Sequence, residues 1–290
     1  MIQFMQGDYM TIFEALRKGM IDLKISNIEE PNLKSRLLMQ YVLNASRQYI
    51  IVNDKEELNK LKEKQYFDAI KLLKSGVPIE HITHQKEFMK LNFFVDNNVL
   101  IPRQDTEILV EEVIKIAKKI KAKNILDLCT GSGAIGISLA KYLTETKIVA
   151  TDISNDALNI ARKNAVINNV QNQMIFINSD LFTNLEAQKF DIIVSNPPYI
   201  KTNVIEKLDI QVKNEPNIAL DGGKDGLDFY RKIIKESYQY LKYNGYLCLE
   251  IGFDQKDDVV NILNETENFK NIYCKKDLGD NDRVIVGQVK

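Results

Sequence analysis

Apolar residues before about residue 86 recur every three or four positions, which predicts three short helices. A third helix is predicted to start near Asn53 or Asp54 and to end at Gly76-Val77-Pro78. Such helices can bury one small core, so residues 1–86 are expected to form a helical N-terminal domain. This domain would serve either packing and dimerisation or recognition of a macromolecular substrate, and the helical pattern does not choose between these roles. The apolar positions assigned to the first two helices are Ile12, Phe13, Leu16 and Met20, followed by Leu37, Leu38, Tyr41, Val42 and Ala45.

The pattern changes at residue 87. Residues 87–101 are rich in aromatic and β-branched side chains and are interrupted by Asp96-Asn97-Asn98, which predicts a β-hairpin. Residues 87–105 are therefore expected to link two domains. A helix is predicted to follow over residues 108–120, after the turn residues Pro102 and Asp105.

Short apolar runs then alternate with helical spacing to the end of the chain. This rhythm predicts an α/β domain over residues 106–290, with a parallel sheet covered by helices on both faces. The predicted helices are one ending near Tyr142 and those over 154–168, 227–241 and 257–263. The predicted strands cover residues 124–128, 147–151, 174–178, 190–195, 245–251, 272–275 and 284–288.

Composition narrows the class of protein. The chain has 290 residues, with 39 Lys and Arg against 40 Asp and Glu, so bulk positive charge does not drive it onto nucleic acid. It has no long apolar run and no secretory leader pattern, and its three cysteines are widely spaced. We therefore expect a cytoplasmic protein without a membrane partner. His81 and His84 have no evident co-ligand, so no metal site is expected.

A glycine-bearing loop, Asp127-Leu128-Cys129-Thr130-Gly131-Ser132-Gly133, follows a predicted strand and opens a helix. Small residues there let the backbone and a helix N-terminus approach a ligand. Asp152 ends the next strand, where a carboxylate can accept both hydroxyls of a ribose. The spacing is not G-x-G-x-x-G, and Asp127 would repel a pyrophosphate but suit an amino group. The pattern favours S-adenosyl-L-methionine, with an ordinary tight turn capped by Asp127 as the alternative.

The sharpest chemical signal is Ser195-Asn196-Pro197-Pro198-Tyr199-Ile200, after the fourth predicted strand. Two prolines fix their own φ and keep the segment extended, which leaves backbone carbonyls available as acceptors. Asn196 adds a side-chain carbonyl, and Tyr199 adds a flat face for a planar group. Two rigid acceptors can hold both N–H bonds of an amide, so that its lone pair is aimed at a sulfonium methyl group. A rigid turn without chemistry is the alternative.

Together these motifs resemble the HemK/PrmC family, the N5-glutamine methyltransferases that act on peptide chain release factors. The resemblance covers essentially the whole chain. It implies a class I methyltransferase fold, which is Rossmann-like with a mostly parallel seven-stranded sheet, next to a small all-helical N-terminal domain. Its most specific parts are the block Leu100–Glu107, the segment from Glu215-Pro216 through Gly222-Gly223 and Asp225-Gly226-Leu227 to Phe229-Tyr230, and Asp282-Arg283-Val284.

The resemblance implies a site for S-adenosyl-L-methionine next to a site for glutamine. Cys129 stands where the family usually has glycine and is expected to weaken cofactor binding without abolishing it, and Gln104 replaces a usual proline. The expected catalytic residues are Asn196, Pro197 and Tyr199, and the expected substrate-binding residues are these three with Pro198. The expected cofactor-binding residues are Asp127, Cys129, Thr130, Gly131, Ser132, Gly133, Asp152, Asp180, Leu181 and Asn196.

The implied substrate is the glutamine of the Gly-Gly-Gln loop of peptide chain release factors. The enzyme is expected to act as a monomer and without direct contact to nucleic acid. Three alternatives remain open. A ribosomal protein glutamine is the nearest, and Asn-Pro-Pro-Tyr alone would also suit a nucleic-acid amino-methyltransferase. Cys129 would suit a binding module that has lost its activity.

Overall fold

The computed structural model of the chain describes residues 9–290, which group into two compact units. The first unit runs to His84 and includes Ile210–Asn214, and the second comprises Gln85–Asp209 and Glu215–Lys290. Within residues 9–290, no helix combines the length and apolar character needed to cross a bilayer.

The first unit is helical, but the predicted third helix is wrong at its start. Residues near Asn53 end a separate short helix, and the next one begins after Asn59, whose side chain accepts a hydrogen bond from the Lys62 backbone N–H at 2.8 Å. The predicted stop is confirmed, since Gly76 follows with a φ of 94°. The helices before the hairpin are α1 (Ile12–Ile25), α2 (Pro31–Leu43), α3 (Arg47–Val52), α4 (Lys60–Lys74) and α5 (Ile79–Thr83).

The core of this unit is built around Tyr66 rather than around all the predicted apolar positions. Phe13 and Tyr41 are exposed. A Cβ on Gly19 would lie 2.2 Å from the Tyr66 hydroxyl oxygen, so only glycine admits this large ring against α1. The Tyr66 hydroxyl is satisfied by Ser35 Oγ at 2.7 Å, as a buried polar group requires.

The predicted hairpin is present with a different turn. Strands β1 (Lys86–Phe88) and β2 (Leu91–Phe93) pair antiparallel around Met89 and Lys90, whose φ values are 51° and 59°. Asp96-Asn97-Asn98 instead forms a separate turn, in which the Asn98 backbone N–H donates to Asp96 Oδ1 at 2.9 Å. The boundary between the two units falls between His84 and Gln85, so the hairpin lies in the second unit.

A seven-stranded sheet forms the centre of the second unit and confirms the predicted α/β class. Its order is β5-β4-β3-β6-β7-β9-β8, and it is parallel up to β7 and antiparallel for the last two strands. The strands are β3 (Asn124–Leu128), β4 (Lys147–Asp152), β5 (Met174–Asn178), β6 (Phe190–Ser195), β7 (Leu241–Glu250), β8 (Phe269–Lys276) and β9 (Asp282–Val289).

Helices cover both faces of this sheet, as alternation along the strands requires. Ile125 of β3 packs with helix residues such as Leu109 on one face, whereas its neighbour Leu126 packs with residues such as Ile233 on the other. The helices from the hairpin onward are α6 (Asp105–Ile120), α7 (Ala134–Tyr142), α8 (Asn155–Ile167), α9 (Thr202–Ile205), α10 (Ile210–Lys213, in the first unit), α11 (Asp228–Ser237) and α12 (Lys256–Glu265).

Candidate active site

A cavity of about 270 Å³ opens at the carboxyl ends of the parallel strands. The strand order reverses there, because β4 lies on one side of β3 and β6 on the other, and open α/β sheets bind ligands at such a point. Among the residues named from the sequence, Asp127, Gly133, Pro197 and Tyr199 do not line the cavity. Those that do line it are Cys129, Thr130, Gly131, Ser132, Asp152, Asp180, Leu181, Asn196 and Pro198.

The glycine loop turns sharply between β3 and α7. Cys129, Gly131 and Gly133 have φ values of 57°, 55° and 82°, a region that costs a residue with a Cβ about 1–2 kcal/mol. A Cβ on Gly131 would meet no atom within 4 Å, whereas one on Gly133 would lie 2.7 Å from the Ile137 side chain. Gly133 therefore permits close packing of the helix start, and Gly131 keeps the cavity wall open.

Asp127 lies buried behind this loop. Its Oδ2 accepts hydrogen bonds from Thr130 Oγ1 at 2.6 Å and from the Gly136 backbone N–H at 2.9 Å. Its Oδ1 is buried without a hydrogen-bond partner among residues 9–290. Burial raises the pKa of Asp127 to about 7, although the bonds from Thr130 and Gly136 oppose the rise. Asp127 thus fixes the loop and keeps one unused buried acceptor.

Asp152 holds its carboxylate at the end of β4. Its Oδ2 and Oδ1 accept hydrogen bonds from the backbone N–H groups of Gly131 and Ser154, each at 2.9 Å. Burial raises the pKa of Asp152, and these amide bonds oppose the rise. Each oxygen has a second lone pair, so the carboxylate can accept the two hydroxyls of a ribose from the cavity side.

A tight loop after β5 completes this side of the cavity. Ser179 Oγ donates to the Leu181 carbonyl at 2.8 Å and accepts from the Asn184 backbone N–H at 3.0 Å. The loop thereby places the buried Leu181 and the exposed Asp180 in the wall.

The corner after β6 brings Asn196 to Thr106 of α6. Ser195 Oγ donates to the Leu128 carbonyl at 2.8 Å, which ties the end of β6 to β3. Asn196 Nδ2 donates to Thr106 Oγ1 at 3.3 Å. Asn196 lines the cavity, and its Oδ1 accepts no hydrogen bond from residues 9–290. This oxygen is therefore available to a ligand.

The later part of the corner is oriented away from the cavity. The Tyr199 side chain packs against the apolar cluster on one face of the sheet, so its contact with substrate stays a prediction. The Tyr199 carbonyl accepts from Gln255 Nε2 at 3.0 Å, and the Ile200 carbonyl accepts from the Gly222 N–H at 2.8 Å. Free backbone acceptors are thus confined to the part of the corner before Tyr199, whereas the sequence predicted them throughout.

Three residues that the sequence did not mark as site residues hold this corner in place. A Cβ on Gly222 would lie 2.7 Å from the Tyr199 Cα, and one on Gly226 would lie 2.4 Å from the Tyr199 carbonyl oxygen. Gln255 is buried, and its Nε2 also donates to the Gly226 carbonyl at 3.1 Å. The segment around Gly222 and Gly226 therefore packs directly on the corner.

Further residues of the cavity wall come from the two family-like blocks, among them Arg103, Thr106 and Phe229. Lys232, just after the second block, also lines the cavity, so that it and Arg103 bring positive charge to the wall. Arg103 forms an ion pair of 2.6 Å with Glu215, whose side chain is 1% exposed. This pair joins the block around Arg103 to the block that begins at Glu215.

Comparisons with known proteins agree with this geometry. Residues 14–83 match the PrmC N-terminal domain and residues 103–211 match the Methyltransferase small domain. The release factor glutamine methyltransferase of Clostridium acetobutylicum is 44% identical over 96% of this chain and 98% of its own. That of Moorella thermoacetica is 36% identical, again over 96% and 98%. This chain belongs to the release factor glutamine methyltransferase family.

Solved structures agree on the fold of this family member. The hMettl16 catalytic domain in complex with a 3'UTR hairpin has a TM-score of 0.58 at 16% identity, over 87% of this chain and 90% of that one. At this identity the likeness concerns the fold alone, and it confirms the class I methyltransferase architecture.

The methyl donor of the family is S-adenosyl-L-methionine, and the residues of this cavity suit it. Asp152 presents a carboxylate for ribose hydroxyls, and Gly131 leaves the wall open beside it. Asp127 Oδ1 is an unused buried acceptor near the loop, and Arg103 can meet a carboxylate. The residues that line the cavity therefore match the ribose and the carboxylate of this ligand, whereas Asp127 lies behind the loop and does not line the cavity.

Cys129 is the point at which this family member departs from the usual glycine. Its φ of 57° explains why glycine suits the position, and its side chain lines the cavity. Burial raises the pKa of the thiol well above its usual value, so the group stays neutral. Its expected effect on cofactor affinity stays a prediction.

Proposed function

We propose that this enzyme transfers the methyl group of S-adenosyl-L-methionine to the side-chain amide nitrogen of the glutamine in the Gly-Gly-Gln loop of peptide chain release factors. The observation that carries the proposal is the 44% identity, over nearly the full length, to a release factor glutamine methyltransferase. The free Oδ1 of Asn196 at the cavity wall supports it, because a carboxamide substrate needs an acceptor there.

The chemistry follows from these acceptors. When bound, S-adenosyl-L-methionine supplies an electrophilic methyl group on a sulfonium. Asn196 Oδ1 and a backbone carbonyl of the proline segment hold the two N–H bonds of the glutamine amide. Held in this way, the nitrogen loses conjugation with its carbonyl, and its lone pair becomes available for in-line attack. The same acceptors stabilise the positive charge that develops on nitrogen. The nitrogen becomes acidic only after methylation, so no matched base is needed beforehand.

The remaining residues have supporting roles in this proposal. Asp152 binds the ribose, and Asp180 and Leu181 flank the adenine. Asp127 and the loop from Cys129 to Gly133 hold the methionine part, whereas Pro197, Pro198 and Tyr199 shape the glutamine site. The helical N-terminal domain contacts the release factor. The enzyme acts as a monomer in the cytoplasm and does not bind nucleic acid directly.

Transfer of labelled methyl groups decides between substrates. The purified enzyme is incubated with methyl-labelled S-adenosyl-L-methionine and either a release factor, ribosomal protein or RNA. We expect label on the release factor alone, mapped by mass spectrometry to the Gly-Gly-Gln glutamine. A release factor with that glutamine replaced by alanine is the matched control and should stay unlabelled. Label on another acceptor, or none on the wild-type release factor, would overturn the proposal.

A further inference from the structure

A buried carboxyl group lies behind Asn196 and takes no part in the mechanism above. Glu250 is the last residue of β7, and its neighbour Leu249 pairs with Ser195 at the end of β6. Parallel pairing therefore places Glu250 beside Asn196 at the carboxyl edge of the sheet. Glu250 is 1% exposed, and its Oε2 has no hydrogen-bond partner among residues 9–290. It does not line the cavity, so any effect on a ligand passes through another residue.

Thr106 lies next to both Asn196 and Glu250. Its Oγ1 accepts the hydrogen bond from Asn196 Nδ2 at 3.3 Å, and a hydroxyl that accepts at its oxygen still has one hydrogen to donate. The Thr106 hydroxyl and the Asn196 amide both lie close enough to the Glu250 carboxyl group to lower its pKa. Asn196 Nδ2 is thus turned toward Thr106, on the side of the site where Glu250 also lies, and Asn196 Oδ1 accepts no hydrogen bond from residues 9–290.

We propose that Glu250 is a positioning residue that fixes the amide of Asn196, so that Oδ1 and not Nδ2 faces the substrate carboxamide. An ionised carboxylate only accepts hydrogen bonds, so it excludes the flipped amide, whose N–H groups would face those of the substrate. Its charge also polarises Asn196 and strengthens Oδ1 as an acceptor while positive charge develops on nitrogen. The inference rests on the proposed function, because it needs a substrate that donates N–H groups.

Protonation of Glu250 removes this constraint on the orientation of the Asn196 amide. Burial raises the pKa of Glu250 to about 7, with Thr106 and Arg283 opposing the rise and Asp105 adding to it. Below this pH the carboxyl becomes a donor and no longer excludes the flipped amide. Turnover should therefore fall as the pH drops through about 7. The titratable groups that face Glu250 from neighbouring elements are Asp105 of α6, Tyr199 after β6, Tyr230 of α11 and Arg283 of β9.

The direct test is Glu250→Gln, which keeps the volume and removes the charge. Methyl transfer to a release factor is measured from pH 5.5 to 9 for the wild type and the variant. We expect the wild-type kcat to fall below an apparent pKa near 7, and the variant to lose about tenfold in kcat and to show no such fall. S-adenosyl-L-methionine affinity, measured by calorimetry, should change less than twofold. A carboxyl resonance that titrates near pH 7 in the wild type and is absent from the variant gives a readout independent of turnover.

Two further variants separate positioning from folding. Thr106→Val should lower kcat about as much as Glu250→Gln. The double variant should have a kcat no lower than either single variant, because both substitutions disrupt the same interaction of Glu250 with Asn196. Thr106→Ser keeps the hydroxyl and should retain most activity. Asp105→Asn should shift the acid limb of kcat to lower pH without removing it, because Asp105 raises the pKa of Glu250.

The failures are distinguishable. If the wild type transfers no methyl to the release factor glutamine, the proposed function is wrong. If the wild type is active while Glu250→Gln keeps its full kcat and its acid limb, the positioning role is wrong. Fully additive effects of Thr106→Val and Glu250→Gln would also contradict it.

Discussion

Asn196 shows how the chemistry of one side chain depends on residues far along the chain. Its Nδ2 is held by Thr106, 90 positions earlier, and the corner that carries it is held through the Tyr199 carbonyl by Gln255. The proline pair gives the segment its stiffness, but these two contacts determine where it points. The acceptor at the cavity therefore results from tertiary contacts acting on a locally rigid segment.

Replacing Asn196 by alanine should remove an acceptor that matters most in the transition state. We expect Asn196→Ala to lower kcat by about 10²–10³-fold and to change the affinity for S-adenosyl-L-methionine only slightly. Steady-state kinetics with a release factor, together with calorimetry for the cofactor, check this. Unchanged kcat would contradict the role assigned to Asn196.

Replacing Asp152 by alanine should weaken cofactor binding more than it lowers kcat. Asp152→Ala removes the carboxylate that faces the ribose and also releases the backbone N–H groups of Gly131 and Ser154. We expect cofactor affinity to fall at least about tenfold, by the 1.5–3 kcal/mol of a charged hydrogen bond, with a smaller change in kcat at saturating cofactor. Calorimetric titration measures this loss. Asp156→Ala, in the first turn of α8 and outside the cavity, serves as the control.

At the scale of elements, the boundaries of helices and strands that depend on nearby residues match the prediction. Boundaries that depend on hydrogen bonds to another element do not. β3, β5 and β6 have the predicted bounds. The helix predicted over residues 227–241 instead ends at Ser237, because the Tyr240 carbonyl accepts a hydrogen bond from Phe190 and the chain joins the sheet at Leu241. The sequence of residues 227–241 alone does not indicate that its end pairs with β6.

The segment that packs on the proline corner gives an element-scale prediction. Gly222→Ala puts a Cβ within 3 Å of the Pro198 and Tyr199 backbone, which cannot yield as a flexible side chain would. We expect a loss of about 1–3 kcal/mol in the free energy of unfolding and a larger fractional loss of activity. Gly287→Ala in β9, with nearest contact 3.3 Å from the Phe269 side chain, is the matched control and should keep activity. Urea unfolding and methyl-transfer rates measure both effects.

At the scale of the whole molecule, two of the buried carboxyl groups tie stability to pH. Asp127 and Glu250 have ordinary pKa values of 3.8 and 4.5, and burial raises both to about 7. Between pH 4 and 7 these two groups therefore bind more protons in the folded chain than in the unfolded chain. Their contribution to the free energy of unfolding then decreases as the pH rises through this window.

Substitutions of Asp127 and Glu250 test how each residue contributes to the pH dependence of the free energy of unfolding. Asp127→Asn and Glu250→Gln should each flatten the decrease between pH 4.5 and 7.5 by an amount on the order of 3 kcal/mol, measured by urea unfolding at several pH values. Asp225→Asn is the control. The ion pair with Arg231 lowers the pKa of Asp225 to about 2 at an exposed site, so its contribution is constant across this window. Parallel curves for the wild type and both buried variants would refute the assignment.

The sequence by itself determined the order of strands and helices, the glycine loop, the acidic strand end and the stiff proline corner. Each of these depends on short-range preferences: side-chain periodicity, the freedom of glycine and the fixed φ of proline. Only the tertiary structure decided that Thr106, Gln255 and Glu250 surround that corner, that Asp127 lies behind the loop, and that Tyr199 packs into the apolar core. These depend on strand order and burial, which bring together residues that no local pattern connects.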